Sequence, residues 1–383
     1  MVTATAFVFF LSIIVICYVY LGYPMVIWVL ARVRNRSVKK GDIEPNVSIL
    51  ISAHNEEESI QATIENKLAL DYPRKRLEII VVSDGSTDRT EEIVERYAVS
   101  GVKLIRQNPR AGKTSALNLA VPEAKGDILV FSDANSIWAD DALRQMVRNF
   151  ADPAVGYVTG RMIYTSADGN AIGDGCTAYM RYENFLRFLE TRAGSVVGVD
   201  GGIDGIRKNI YVPMRPDQLP DFVLPLAVLS QGKRVVYEPA AILREQALQG
   251  AEDEYRMRVR VTLRSFWAIC DMRHLLSLRK HKLPALQLWS HKVLRYMCFV
   301  FLIGAYLSNL LLWAEAGLYS TVFIIQNAFY GMAGAFPLMA RMRFRPKLFA
   351  LSYYFVLINA ASAHAFFKFL RREKLVVWQP RKG

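Results

Sequence analysis

Between residues 45 and 238, short β-branched apolar runs alternate with stretches of helical period. The segments VSILISA, LEIIVVS, VKLIRQ, DILVFSD, VGYVTGR and RVVYEP are bounded by polar and turn-forming residues and are expected to be strands. Between them, residues 56–70 place Ile60, Ile64 and Leu68 on one helical face, and residues 87–97 and 140–150 show helical period with acidic first turns. This alternation predicts an α/β domain over residues 45–250, a mostly parallel sheet with crossover helices.

The flanks follow another pattern. Residues 3–31 carry no charge, too long a run for a signal-peptide core, and end without a small-residue cleavage pattern. Residues 1–31 therefore read as a retained transmembrane helix. Arg32, Arg34, Arg36, Lys39 and Lys40 follow at once, and basic residues beside a span stay cytoplasmic, which puts the large domain inside. In 252–290, Arg256, Arg260 and Arg264 recur every fourth residue beside Val259, Leu263, Phe266, Trp267 and Cys270, the mark of an amphipathic helix at a membrane surface. Residues 291–370 hold apolar stretches at 293–313, 318–339 and 348–367, before a basic tail at 371–383. The first two stretches read as spans. The third has basic residues on both sides, at 341–347 and 368–374, so the positive-inside rule is tied and it either crosses or re-enters.

Composition agrees with a membrane protein: 52% of the 383 residues are hydrophobic. The formal charge of +13 raises the question of nucleic acid, but the basic residues gather beside apolar segments, and no RNA-binding aromatic motif or zinc finger is present. An anionic membrane face and a phosphate-bearing ligand are the better partners. Cys17, Cys176, Cys270 and Cys298 have no short pairing spacing, which indicates reduced structural residues rather than a disulfide framework or zinc site.

The chemistry gathers at strand ends: SAHNEEES after the first strand, SDGSTD after the second, NPRAGKTSALN after the third and FSDANS at the fourth. In an open α/β sheet the ligand crevice lies outside the carboxyl ends of the strands. One aspartate there, such as Asp88, is often only a helix cap, but capping does not account for every cluster. The GKT at Gly112 does not make an NTPase loop, because that motif needs glycine where Gln107 stands. No Gly-x-Gly-x-x-Gly follows the first strand, which excludes a dinucleotide oxidoreductase.

Together with GGIDGIRK, PDFVLP and EYRMRVRV downstream, these motifs resemble the membrane-bound family 2 glycosyltransferases, the group that contains chitin oligosaccharide, hyaluronan and cellulose synthases. The resemblance covers about residues 47–268 and the one-before, several-after arrangement of membrane segments. It implies a GT-A fold, Rossmann-like with a mostly parallel sheet, facing the cytoplasm between transmembrane and interfacial helices. The implied reaction is inverting transfer of a sugar from a nucleoside diphosphate donor, a UDP-linked one, to a lipid-linked or saccharide acceptor.

Carried over by motif, Asn55, Glu56 and Asp84 hold the nucleoside, with Asp84 accepting from the base edge, and Lys113 neighbours the diphosphate. Asp133 and Asn135 stand where the family has its Asp-x-Asp metal motif, implying a divalent cation, Mg2+ or Mn2+, in a site with one carboxylate fewer. Asp221 matches the catalytic base, preceded here by Pro220 in place of an acidic residue. Asp200, Gly201, Gly202 and Asp204 match the acceptor-facing loop. Arg258 and Arg260 are donor-diphosphate candidates, with lipid headgroups as their other partner. Three of these have an ordinary alternative: a solvated helix-start lysine at Lys113, turn aspartates at Asp204 and Asp221. Processive members carry Gln-x-x-Arg-Trp; this chain has Met257, Arg260 and Val261 there, which favours the addition of one or few sugars.

The expected protein is thus an integral membrane glycosyltransferase of polysaccharide biosynthesis, in a bacterial plasma membrane, with lipids but no nucleic acid as partners. Two other readings stay open. One is a processive synthase coupled to export; the other is a non-catalytic nucleotide-sugar-binding regulator, disfavoured because Asp84, Lys113, Asp133 and Asp221 are all present.

Overall fold

A computed structural model describes residues 2–165, 171–246, 250–315, 317–341 and 346–376. At its centre lies β1 (Val47–Ala53), buried along its whole length and paired in parallel with β2 (Leu77–Asp84) on one side. β3 (Val102–Gln107) continues the sheet beyond β2, and β4 (Ile128–Asp133) pairs in parallel on the other flank of β1. Both faces of these strands are covered. Ile49 and Ile51 enter one core cluster with Val81 and Val130, while Leu50 enters the other with Ile80, Val82 and Phe131. Double-sided burial is why the runs are continuously apolar instead of alternating.

Beyond β4 the sheet changes direction. Its full order is β3-β2-β1-β4-β7-β6-β8-β5, completed by β5 (Ile137–Trp138), β6 (Val155–Thr165), β7 (Asp204–Arg207) and β8 (Arg234–Gln246). β7 lies antiparallel between β4 and β6, β8 is parallel to β6, and β5 is antiparallel to β8. The sheet is mixed but mostly parallel, as the pattern of runs predicts.

β7 and β5 are not legible in the sequence. β7 is a four-residue strand in what reads as a glycine-rich loop, and its partners, β4 and β6, lie far away in sequence. β8 runs past Pro239, where a sequence reading stops. Its register against β6 shifts between Thr159 and Arg161, so the proline falls in an irregularity that spares the ladder.

The predicted helices form with shorter bounds, Ile60–Leu68, Thr90–Glu95 and Ala142–Val147. Two more shape the site. Pro220–Ser230 starts with proline in its first turn, where the missing N–H costs nothing. Ala171–Ala193 packs Leu186, Leu189 and Ala193 against Tyr23, Ile27 and Ala31 of the N-terminal helix.

Among the described residues, four helices are long and apolar enough to cross a membrane: Thr3–Arg34, Cys298–Glu315, Leu318–Ala340 and Lys347–Leu370. The stretch at 348–367, undecided between crossing and re-entering, is thus one continuous helix of 24 residues. Ala251–Asp271 is helical as expected, with Glu252, Asp253 and Glu254 in its favourable first turn. Its apolar residues Val259, Leu263 and Phe266 meet Ala361 and Ala365 of the last long helix, so part of that face is covered by protein. All four cysteines are free. Of the expected basic segments, residues 342–345 and 377–383 lie outside the described residues.

Candidate active site

A cavity of about 250 Å³ opens where β1 and β4 end, under the helix Ala251–Asp271. Its walls include Glu56, Lys113, Asp133, Asn135, Asp221 and Arg260. Parallel strands deliver SAHNEEES and FSDANS to the same edge because β1 and β4 pair with Ser52 beside Asp133. Lys113 arrives as the first residue of the helix Lys113–Glu123, and Asp221 in the first turn of Pro220–Ser230.

Asp84 does not line this cavity, contrary to the expectation that its carboxylate is open to a base edge. It is fully buried and accepts from the Gln107 side chain at 2.6 Å, the Ala111 amide at 2.7 Å and the Gly112 amide at 3.0 Å. Those bonds take up most of a carboxylate's accepting capacity. Asp84 therefore shapes the loop that carries Lys113, and Gly112, at φ +91°, supplies the backbone turn. Asn55 is likewise tied to the loop after β2: its Oδ1 accepts from the Thr87 amide at 2.8 Å. Asp88 accepts from the Thr90 amide at 3.0 Å and the Glu57 amide at 3.1 Å, the capping role open to a strand-end aspartate.

At the cavity floor, the Lys113 ammonium lies 2.6 Å from Asp133 Oδ1 and 3.8 Å from Asp221 Oδ1. Burial pulls the lysine toward the neutral form, but Asp133 and Asp221 overcome it and leave its pKa raised. Burial pushes Asp221 upward; Lys113 opposes that shift and Asp133 adds to it. A carboxylate with raised proton affinity beside a cavity is suited to accept a proton.

Asp200 also lines the cavity. Asp200 is gripped by both terminal nitrogens of Arg187, a residue 2% exposed, and so is held by protein rather than presented free to an acceptor. Gly201 and Gly202 both hold φ near +80°, and Gly201 lies directly against the Asp221 carboxylate. Asp204 departs from its expected place at the acceptor. It sits in β7, 1% exposed, and burial, with Asp221 adding, pushes its carboxyl up to about 7. Behind Arg187, Glu183 receives Arg295 and faces His291 at 3.2 Å; His291 reaches Glu190 at 2.7 Å, and Tyr23 of the N-terminal helix donates to Glu190. A buried ionic chain thus joins the first long helix to the cavity wall.

Of the two expected diphosphate arginines, Arg258 borders the cavity but donates to Glu254 and to Tyr354 of the last long helix, each at 2.8 Å. Arg260 lines the cavity, and burial lowers its pKa while the charges of Asp133 and Asp221 oppose that shift. The sequence reading missed Arg264, one turn further on. It borders the cavity, donates to the Gln218 carbonyl, and is pulled down to about 10 by burial. Its recurrence with Arg260 at four-residue spacing was the available signal. Tyr179 and Tyr296 also line the cavity and were missed, because their helices lie remote in sequence from every strand-end motif.

Asp133 and Asn135 offer hard oxygens to the cavity, suited to a divalent cation. Among the described residues, no three His, Cys, Asp or Glu side chains gather to hold a metal by themselves. A cation here fits only with further oxygens, such as those of a diphosphate.

Residues 48–212 match the profile of glycosyl transferase family 2. The probable glycosyltransferase YdaM of Bacillus subtilis (strain 168) is 30% identical over 231 residues, 56% of this chain and 54% of that protein. The poly-beta-1,6-N-acetyl-D-glucosamine synthase of Staphylococcus aureus (strain COL) is 29% identical over 214 residues, 53% of this chain and 52% of its own. The chain spans about half the length of these curated relatives. The fold is shared more widely: the mannosyltransferase PcManGT from Pyrobaculum calidifontis, solved with GDP-Man and Mn2+, superposes with a TM-score of 0.72 at 21% identity, covering 97% of this chain and 100% of that one. Residues 48–212 are thus similar to family 2 glycosyl transferases, and the sheet order with its strand-end cavity is a GT-A fold flanked by long apolar helices.

Proposed function

We propose that the protein transfers a sugar, with inversion, from a nucleoside diphosphate sugar to a lipid-linked or saccharide acceptor at the cytoplasmic face of a membrane, adding one or few residues. The observation that carries this reading is the meeting of Lys113, Asp133 and Asp221 in one cavity, with the ammonium between a leaving-group side and a base side. Inverting transfer needs one carboxylate to take the acceptor proton as the acceptor oxygen attacks, and Asp221 fills that role. Lys113, Arg260 and Arg264 offset charge on the departing diphosphate. A divalent cation, bound through Asp133 and Asn135, would polarise the same leaving group. Gly201 leaves room for the Asp221 carboxylate, and Tyr179 and Tyr296 supply aromatic faces for a sugar.

The relatives support a nucleotide-sugar donor without selecting one, since PcManGT was solved with GDP-Man while the resemblance to polysaccharide synthases favours UDP. The test is a screen of the full chain in nanodiscs against UDP- and GDP-linked sugars with Mg2+ or Mn2+, reading nucleotide release and product anomeric configuration. Release of nucleoside diphosphate with an inverted product is expected. Failure of every donor to bind or react would overturn the reading.

A further inference from the structure

Lys113 is held at its backbone and ion-paired at its tip. The amides of Ala111 and Gly112 are bound by Asp84, and Lys113 begins a helix, so its α-carbon is fixed. Its four-carbon stem has rotatable bonds, and the ammonium lies on Asp133 Oδ1 at 2.6 Å, with Asp221 next at 3.8 Å. Asp133 is also the carboxylate best placed for a divalent cation, and the described residues supply no three-carboxylate or imidazole group to bind one alone.

We propose that Lys113 is the resident counter-ion of the donor site. Its ammonium holds the Asp133 oxygen that a divalent cation would take, so the cation enters with a nucleoside diphosphate and not before it. A dication arriving alone meets an ammonium already on its ligand and gains too few oxygens. A dication arriving with a diphosphate brings oxygens of its own and gives the lysine a better anion, so Lys113 swings from Asp133 to phosphate. The inference rests on the proposed donor site and concerns the order in which that site fills.

The test measures Mn2+ binding to the full chain in nanodiscs by the loss of the free-ion paramagnetic resonance signal, alone and with UDP or GDP. Wild-type protein should bind Mn2+ weakly alone and at least tenfold tighter with a nucleotide. K113M and K113Q should each bind Mn2+ alone about tenfold tighter than wild type, a change of about 1.4 kcal/mol. K113R, which keeps the charge, should stay weak, and adding Asp133→Ala to K113M should erase the gain. The two neutral variants guard against one that misfolds, which a thermal melt identifies. Unchanged Mn2+ affinity in the folded neutral variants, or tight Mn2+ binding by wild type without nucleotide, would overturn the counter-ion role. Absence of any Mn2+–nucleotide uptake by wild type would instead strike at the donor site itself.

Discussion

A β-carbon placed on Gly201 would stand 2.8 Å from the carboxylate of Asp221, closer than real β-carbons approach. Gly201 also holds φ +80°, a region that side chains with a β-carbon rarely adopt. The loop from Asp200 and the helix from Pro220 therefore touch at the one atom group assigned the proton transfer. Gly201→Ala should lower turnover by about tenfold or more by displacing Asp221, while nucleotide affinity changes only a few-fold. Turnover and UDP or GDP binding measured side by side check this; equal losses in both would show a wider collapse.

Asp221→Asn keeps the size of the side chain and removes its ability to take a proton. Loss of a general base costs about 10²- to 10⁴-fold in rate. Donor binding should persist. Transfer at a near wild-type rate would remove Asp221 from the mechanism.

Buried Arg187 and part-buried Asp200 form a two-pronged pair. Removing one partner leaves a charge without compensation, at a cost of about 3–5 kcal/mol. Arg187→Met should lower the melting temperature by several degrees, and Arg187→Lys should restore little of it, because an ammonium cannot reproduce the planar fork. A melt unchanged in Arg187→Met would count against this account.

Asp204 gives stability a pH dependence of defined sign. Its folded carboxyl titrates near 7, mainly through burial, whereas an unfolded aspartate titrates at about 3.9. Between those values the folded chain holds the extra proton, so stability contributed by this group is present below the lower value and falls as pH rises toward the upper one. Asp204→Asn should flatten the melting temperature across that window; an unaltered slope would contradict the assignment.

Product length offers another test. Val261, which lines the cavity where processive relatives are expected to place tryptophan, has no aromatic face for a sugar. With radiolabelled donor and native acceptor, products should stay short even at large donor excess. A high-molecular-mass polymer made by the purified single protein would overturn this expectation.

The sequence by itself determined the parallel half of the sheet, the long apolar helices and the polar clusters at the strand ends. Those depend on local properties: β1 and β4 are runs buried on both faces, and Thr3–Arg34 is apolar over many turns, so composition and period announce them. Only the tertiary structure decided what the site residues touch. Asp84 looks open to a ligand until Ala111 and Gly112 fold back onto it; Asp204 looks like a loop residue until β4 and β6 enclose it as β7. Arg264 and Arg187 carry no strand-end motif and join the cavity only because helices distant in sequence pack over it. Pairing and burial of this kind depend on contacts between segments far apart along the chain, and no local period records which segment will arrive at which strand end.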